Sequence, residues 1–223
     1  MNRTEELTQS GFCTLQPGFG ETEIGDLCDE MVRCESEFED GPVQSLLKTS
    51  ELVRKIAGAT PLLETVHAHL GRNAVPFSAF FLDKSAHSNW QMPWHQNLRI
   101  PVETPAPVTA LVENGVAHII PDAAYLGNVL IARISLDAQR PENGALEVIP
   151  GSHLAGILDE TAVAAAGDSG YGICPTLAPG DIFFFKALLV HRSKPSLLRT
   201  PRRVLQIEYA PGPPSGCRWF GLT

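Results

Sequence analysis

From Ala74 to Tyr209 the chain is a succession of short apolar runs separated by proline, glycine and asparagine: VPFSAFFL, NVLIARISL, GALEVIP, DIFFFKALLVH and RRVLQIEYA. Runs this short, rich in β-branched and aromatic residues and bounded by turn formers, predict strands, and a series of them predicts a mainly β sandwich or barrel over residues 74–210. DIFFFKALLVH reads as one strand, Ile182 to Val190, closing on His191. Residues 1–73 read as a mostly helical layer with a short strand near Gly11 to Leu15. Glu21 to Glu37 sets Ile24, Leu27, Cys28, Met31 and Val32 at helical spacing, and Pro61 to Leu70 does the same with Leu62, Leu63, Val66, His67 and Leu70. Val102 to Asn128 reads as a long loop with a short helix near Asp122 to Tyr125. Asp159 to Gly172 reads as a second loop holding an Ala-rich helix, Glu160 to Ala166. Such loops on a β scaffold are the expected substrate lid. Gly212, Pro213 and Pro214 open an irregular tail, 211–223, and the whole chain reads as one domain.

Composition narrows the function classes. Of 223 residues, 43% are hydrophobic and 19% charged, enough to bury a core. Seventeen basic against 25 acidic residues give a net charge of -8, which argues against nucleic acid and anionic membrane as partners. The start, MNRTEELTQSGF, has no apolar run and no later stretch is long enough to span a bilayer, so a cytoplasmic protein is expected. Cys13, Cys28, Cys34, Cys174 and Cys217 form no CxxC pair and read as idle thiols. Nothing in the sequence sets an oligomeric state.

Three segments carry chemistry. In WQMPWHQN, an extended backbone projects His95 and Asn97 on one face and Gln96 on the other, an arrangement suited to two ligands on one metal. The turn Pro179-Gly180-Asp181 leads to His191 and Ser193, with Arg202 eleven residues past the histidine. Along RRVLQIEY, Arg202, Val204, Gln206 and Glu208 share one face, expected to line a cavity, where a guanidinium suits a carboxylate ligand. The third segment, ENGALEVIPGSH from Glu142 to His153, reads as a strand between turns, with His153 a turn residue.

Taken together, WHQN at 94–97, ENGALEVIPGSH at 142–153, and the PGD turn followed by His191, Ser193 and Arg202 resemble the phytanoyl-CoA dioxygenase family of iron(II)- and 2-oxoglutarate-dependent oxygenases. The resemblance implies a double-stranded β-helix, or jelly roll, with N-terminal helices packed outside, and an enzyme that uses Fe(II), 2-oxoglutarate and O2 to hydroxylate a small molecule. It makes His95 and His191 the histidine ligands and Arg202, with Ser193, the holder of the distal carboxylate of 2-oxoglutarate. It places Arg133 and Phe80 facing the cosubstrate, and leaves Lys84, Trp94 and Gln96 as either cosubstrate neighbours or scaffold.

One position departs from the pattern. The family's carboxylate ligand is an aspartate; this chain has Asn97, which offers only a neutral carbonyl oxygen and removes one negative charge from the metal site. Four readings follow: a working oxygenase with a weak or missing third ligand, an Asp-to-Asn change that inactivates, a halogenase with a halide in that position, or a ligand-binding protein that has lost catalysis. Arg192, Lys194, Arg199, Arg202 and Arg203 cluster around the second histidine, a local charge able to draw in an anionic cosubstrate.

Overall fold

The structure, a computed structural model, describes residues 2–37, 46–103, 110–113 and 115–220, with the backbone alone at 35–37. Its centre is an antiparallel five-stranded sheet. The order is β1 (Phe12–Leu15), β9 (Ile182–Lys186), β7 (Leu130–Ser135), β11 (Arg202–Ala210) and β2 (Val75–Lys84). Because side chains alternate, the register sorts this sheet into two faces. Phe184, Ala132, Ile207 and Ala79 form one row, and Ile182, Ile134, Leu205 and Phe81 roughly the next. These pack in one core with the helical layer, including Leu27 and Met31 of the helix Glu21–Glu37 and Leu62 and Val66 of the helix Thr60–Leu70. The opposite face carries the row Phe183, Arg133, Gln206 and Phe80 and, beside it, Phe185, Ile131, Glu208 and Ser78. The period-two reading of RRVLQIEY is therefore what the packing shows: Leu205, Ile207 and Tyr209 face the helices, while Val204 lines an interior cavity.

A second sheet, β3 (Met92–His95), β10 (His191–Ser193) and β8 (Leu146–Val148), covers that interior face. Leu146 and Val148 share a core with Phe183, Phe185 and Ile131. Two antiparallel sheets packed face to face, with helices outside one of them, are the jelly-roll arrangement expected, though not a closed barrel.

Two expectations are corrected. The run from Ile182 to His191 is two strands, because the chain turns at Ala187–Val190 to pass from the large sheet to the small one, and His191 opens β10 instead of closing a strand. All four corner residues are buried, so an unbroken apolar run conceals the turn. Val102 to Asn128 is not a long loop. Its described part completes a third sheet, β4 (Ile100–Val102), β6 (Val116–Ile119) and β5 (Leu111–Glu113), before a short helix, Ala123–Leu126, capped by Asp122. Strands of three or four residues around a proline-rich stretch give too little alternation to be read. The helix expected at Glu160 runs to Asp168. In the tail, Trp219 stacks on Phe77 with ring centroids 5.3 Å apart and donates to the Tyr125 hydroxyl at 3.2 Å. No helix among the described residues is long and apolar enough to cross a membrane.

Candidate active site

His95 ends β3, His191 begins β10, and the two are direct partners across the pair, with ring centroids 4.2 Å apart. Both rings are held alike. His95 Nδ1 lies 2.8 Å from the Pro93 carbonyl and His191 Nδ1 lies 2.7 Å from the Leu189 carbonyl. A carbonyl only accepts, so Nδ1 carries the proton and each neutral ring is left with a lone pair on Nε2. Backbone carbonyls of this kind fix the tautomer of metal-ligating histidines. Burial holds His95 below its usual range, with Arg133 adding to the effect, and holds His191 well below it, with His95 adding. Asn97 is half-buried two residues beyond His95; its backbone N–H donates to the Ala187 carbonyl at 2.9 Å, and its side-chain amide makes no hydrogen bond among the described residues. Among those residues no group of three His, Cys, Asp or Glu comes together.

Beyond the histidines lies a buried cation. Arg202 is 1% exposed, and its Nη1 donates to Gln139 Oε1 at 3.1 Å, while Nε and Nη2 have no hydrogen-bond partner among the described residues. Buried N–H donors left unpaired are costly, so their retention points to a ligand. Lys84, paired with Arg202 in register, donates from Nζ to Ser193 Oγ at 2.7 Å and to the Lys194 carbonyl. Ser193 Oγ in turn donates to the Gly144 carbonyl at 2.8 Å. Burial, then Arg202 and Arg133, pulls Lys84 down to about 7. Arg133 and Gln139 line the cavity between the sheets with Ser135, Leu146, Phe183 and Val204. Phe80 lies in register with Gln206 on the same face. The structure thus brings His95 and His191 together, and sets Arg202, Ser193, Arg133 and Phe80 on elements that enclose one interior.

The remaining motif residues are supports. Gln96 is buried and bonds three backbone groups: Nε2 donates to the carbonyls of Gly156 and Leu188, at 2.8 and 2.6 Å, and Oε1 accepts from Leu158 N. Trp94 lies under the Arg192 guanidinium at 4.2 Å. Ser152 Oγ accepts from Val190 N at 2.8 Å, steadying the residue before His191, and His153 Nε2 donates to the Thr8 carbonyl at 3.2 Å, tying this turn to the N-terminal helix. The basic cluster is largely neutralised, since Arg192 and Lys194 both pair with Glu147 and Arg203 forms a two-point pair with Asp137. Only Arg202 of that group turns inward. Gly144 has φ 70°, and a Cβ there would collide with the Lys194 carbonyl and stand 2.8 Å from Lys84 Nζ. Gly144→Ala is expected to cost about 2–3 kcal/mol in denaturant unfolding through strain and displacement of β10; a loss under about 0.5 kcal/mol would contradict this packing.

Acid sensitivity follows from the histidines. Burial lowers His69 to about 4 and also lowers His95, His153 and His191. The unfolded chain takes up protons on all four near the ordinary 6.5 while the fold resists, so stability falls as pH drops below that value toward the folded pKa values. Glu208, raised by burial to about 7, and Asp83, also raised by burial, oppose this, two groups against four. The melting temperature of the metal-free protein is expected to fall from pH 7 to 5, and a flat or rising profile would refute the account.

The model of the family described as phytanoyl-CoA dioxygenase matches residues 7–204, a span holding both histidines, Asn97 and Arg202. This chain belongs to the phytanoyl-CoA dioxygenase family. The family is one of 2-oxoglutarate-dependent non-haem iron oxygenases. A methylphosphonate hydroxylase of Gimesia maris is 32% identical over 94 residues, which are 40% of this chain and 36% of that protein, so the match spans about a third of the relative's length. Among solved structures, EctD from S. alaskensis superposes with a TM-score of 0.73 at 18% identity, covering 93% of this chain and 75% of EctD. HygX from Streptomyces hygroscopicus, solved with nickel and 2-oxoglutarate bound, gives 0.70 at 16% identity, covering 96% and 86%. At these identities the likeness is one of fold.

Proposed function

We propose that this protein is an iron(II)- and 2-oxoglutarate-dependent dioxygenase that hydroxylates a small molecule. The observation that carries the reading is the donor pair on Arg202, without a hydrogen-bond acceptor among the described residues, buried in the same interior as two neutral histidines that each keep a lone pair on Nε2. His95 and His191 would hold the iron, with Asn97 offering a neutral oxygen. Arg202 would take the distal carboxylate of the cosubstrate through its unpaired Nε and Nη2 hydrogens, and Ser193, locked between Lys84 and Gly144, would bound that end of the seat. Arg133 and Phe80 would face the cosubstrate from the large sheet. With iron and 2-oxoglutarate bound, the site would supply dioxygen's oxidising equivalents for C–H hydroxylation, the oxo acid losing carbon dioxide to become succinate. The protein's own part is to orient the oxo acid and keep the histidines neutral and fixed.

The partial likeness to a methylphosphonate hydroxylase makes methylphosphonate the first substrate to try. The test is iron content together with succinate formed from 2-oxoglutarate in air; absence of both iron binding and succinate would remove the reading. Asn97 favours a second one, a ligand-binding member without catalysis, which predicts 2-oxoglutarate binding without succinate even after Asn97→Asp.

A further inference from the structure

On the inner face of the large sheet, one hydrogen-bonded chain runs away from the site. Arg133 Nε donates to Gln206 Oε1 at 2.8 Å, and Gln206 Nε2 donates to Glu208 Oε1 at 3.1 Å. Ser78 lies opposite Glu208 on β2. Arg133, Gln206 and Glu208 are 9%, 3% and 8% exposed, so water does little to hold them. A primary amide can present either end to a neighbour, and here the two neighbours agree: a guanidinium only donates, and Glu208 turns a carboxyl oxygen, an acceptor, toward the amide. The Gln206 oxygen must therefore turn to Arg133 and its nitrogen to Glu208. The outer nitrogens of Arg133 make no hydrogen bond among the described residues, and the residue lines the cavity between the sheets.

We propose that Glu208 is a positioning residue which, by fixing the amide of Gln206, aims the free end of Arg133 at an oxyanion of the bound cosubstrate. The inference rests on the dioxygenase reading, because it needs 2-oxoglutarate as the anion received. Without the carboxylate, Gln206 can rotate its amide, and Arg133 loses the acceptor that anchors Nε. Simple Coulomb reasoning gives the opposite sign, since removing a negative charge from an anion site should tighten anion binding. The two accounts are thus separable.

The experiment measures 2-oxoglutarate binding to the anaerobic iron(II) protein through the visible absorption of the iron–oxo acid chelate. Glu208→Leu, which offers Gln206 no acceptor, is expected to weaken binding about tenfold, the lower end of what outer partners of a metal site contribute. The swap Gln206→Glu with Glu208→Gln keeps net charge and hydrogen-bond polarity, because the new carboxylate accepts from both Arg133 and the new amide. It is expected to restore affinity to within about threefold. Unchanged or tighter binding in Glu208→Leu, or a swap no better than the single change, overturns the proposal. Should the single variant not fold, the swap is compared with the wild type, and a folded swap that binds tenfold more weakly overturns it equally. If the wild type forms no chelate at all, the dioxygenase reading fails and takes this inference with it, whereas a normal chelate insensitive to Glu208 removes the positioning role alone.

Discussion

Arg202→Met is expected to cost at least about a hundredfold in affinity for 2-oxoglutarate and, in the ligand-free protein, to raise the melting temperature by a few degrees. The first effect follows from the pairing that the guanidinium would make. A buried charged donor pair on a carboxylate is worth roughly 3–5 kcal/mol when one partner is removed, and each 1.4 kcal/mol is tenfold. Arg202→Lys should fall nearly as far, because an ammonium cannot present two parallel N–H groups. The second effect has the same origin. Without a ligand, the residue is 1% exposed with two N–H groups that find no acceptor among the described residues, and burial pulls it down to about 10. Asp83 and Asp137 attract it and Gln139 accepts one bond, so its charge is partly met. Replacing such an ion with an apolar side chain of similar length is neutral or stabilising by roughly 1–2 kcal/mol, a few degrees for a chain of this size. Thermal unfolding and anaerobic titration check both halves. Unchanged 2-oxoglutarate affinity would detach Arg202 from the cosubstrate.

What the sequence can tell divides along a physical line. Alternation within a strand is local, so the order of residues in RRVLQIEYA is enough to say which side chains turn inward, and the opposite projection of Gln96 and His95 is equally legible. The described structure adds that Gln96 has a task on its own side, tying three backbone groups together. The corner at Ala187–Val190 is hidden, because a buried turn uses the same apolar residues as a buried strand. Gln139 escapes sequence reasoning altogether. It sits in a loop with no periodicity, and its bond to Arg202 joins positions 63 residues apart. Alternation puts Gln206 and Glu208 on the cavity face, but their link to Arg133 needs the register of β7 against β11. The motif with the longest match, ENGALEVIPGSH, proves to be framework. Asn143 closes a turn by donating to the Ala138 carbonyl, Gly144 admits Lys84, and Ser152 steadies Val190.

Asn97→Asp is expected to tighten iron(II) binding by about ten- to a hundredfold, and its effect on succinate separates the readings of this site. At an effective dielectric of about 20, a unit pair at 4 Å attracts by roughly 4 kcal/mol, and a divalent ion doubles that before desolvation of the carboxylate is charged against it. A net gain of about 1.4–2.8 kcal/mol is therefore a conservative share. The new carboxylate should stay ionised, since Arg133 already acts on both histidines and lies within reach of Arg202's charge. If the amide is a tolerated weak ligand, both forms release succinate and the variant simply needs less iron. If it is an inactivating change, turnover appears only with the carboxylate. A halogenase would show chlorinated product in chloride that the carboxylate abolishes, because the halide's position is then filled. A binding protein gains iron and still makes no succinate, since restoring a ligand does not restore a site that no longer orients oxygen and substrate. Iron affinity unmoved by Asn97→Asp would place the amide outside the metal's reach and leave His95 and His191 as the whole protein contribution.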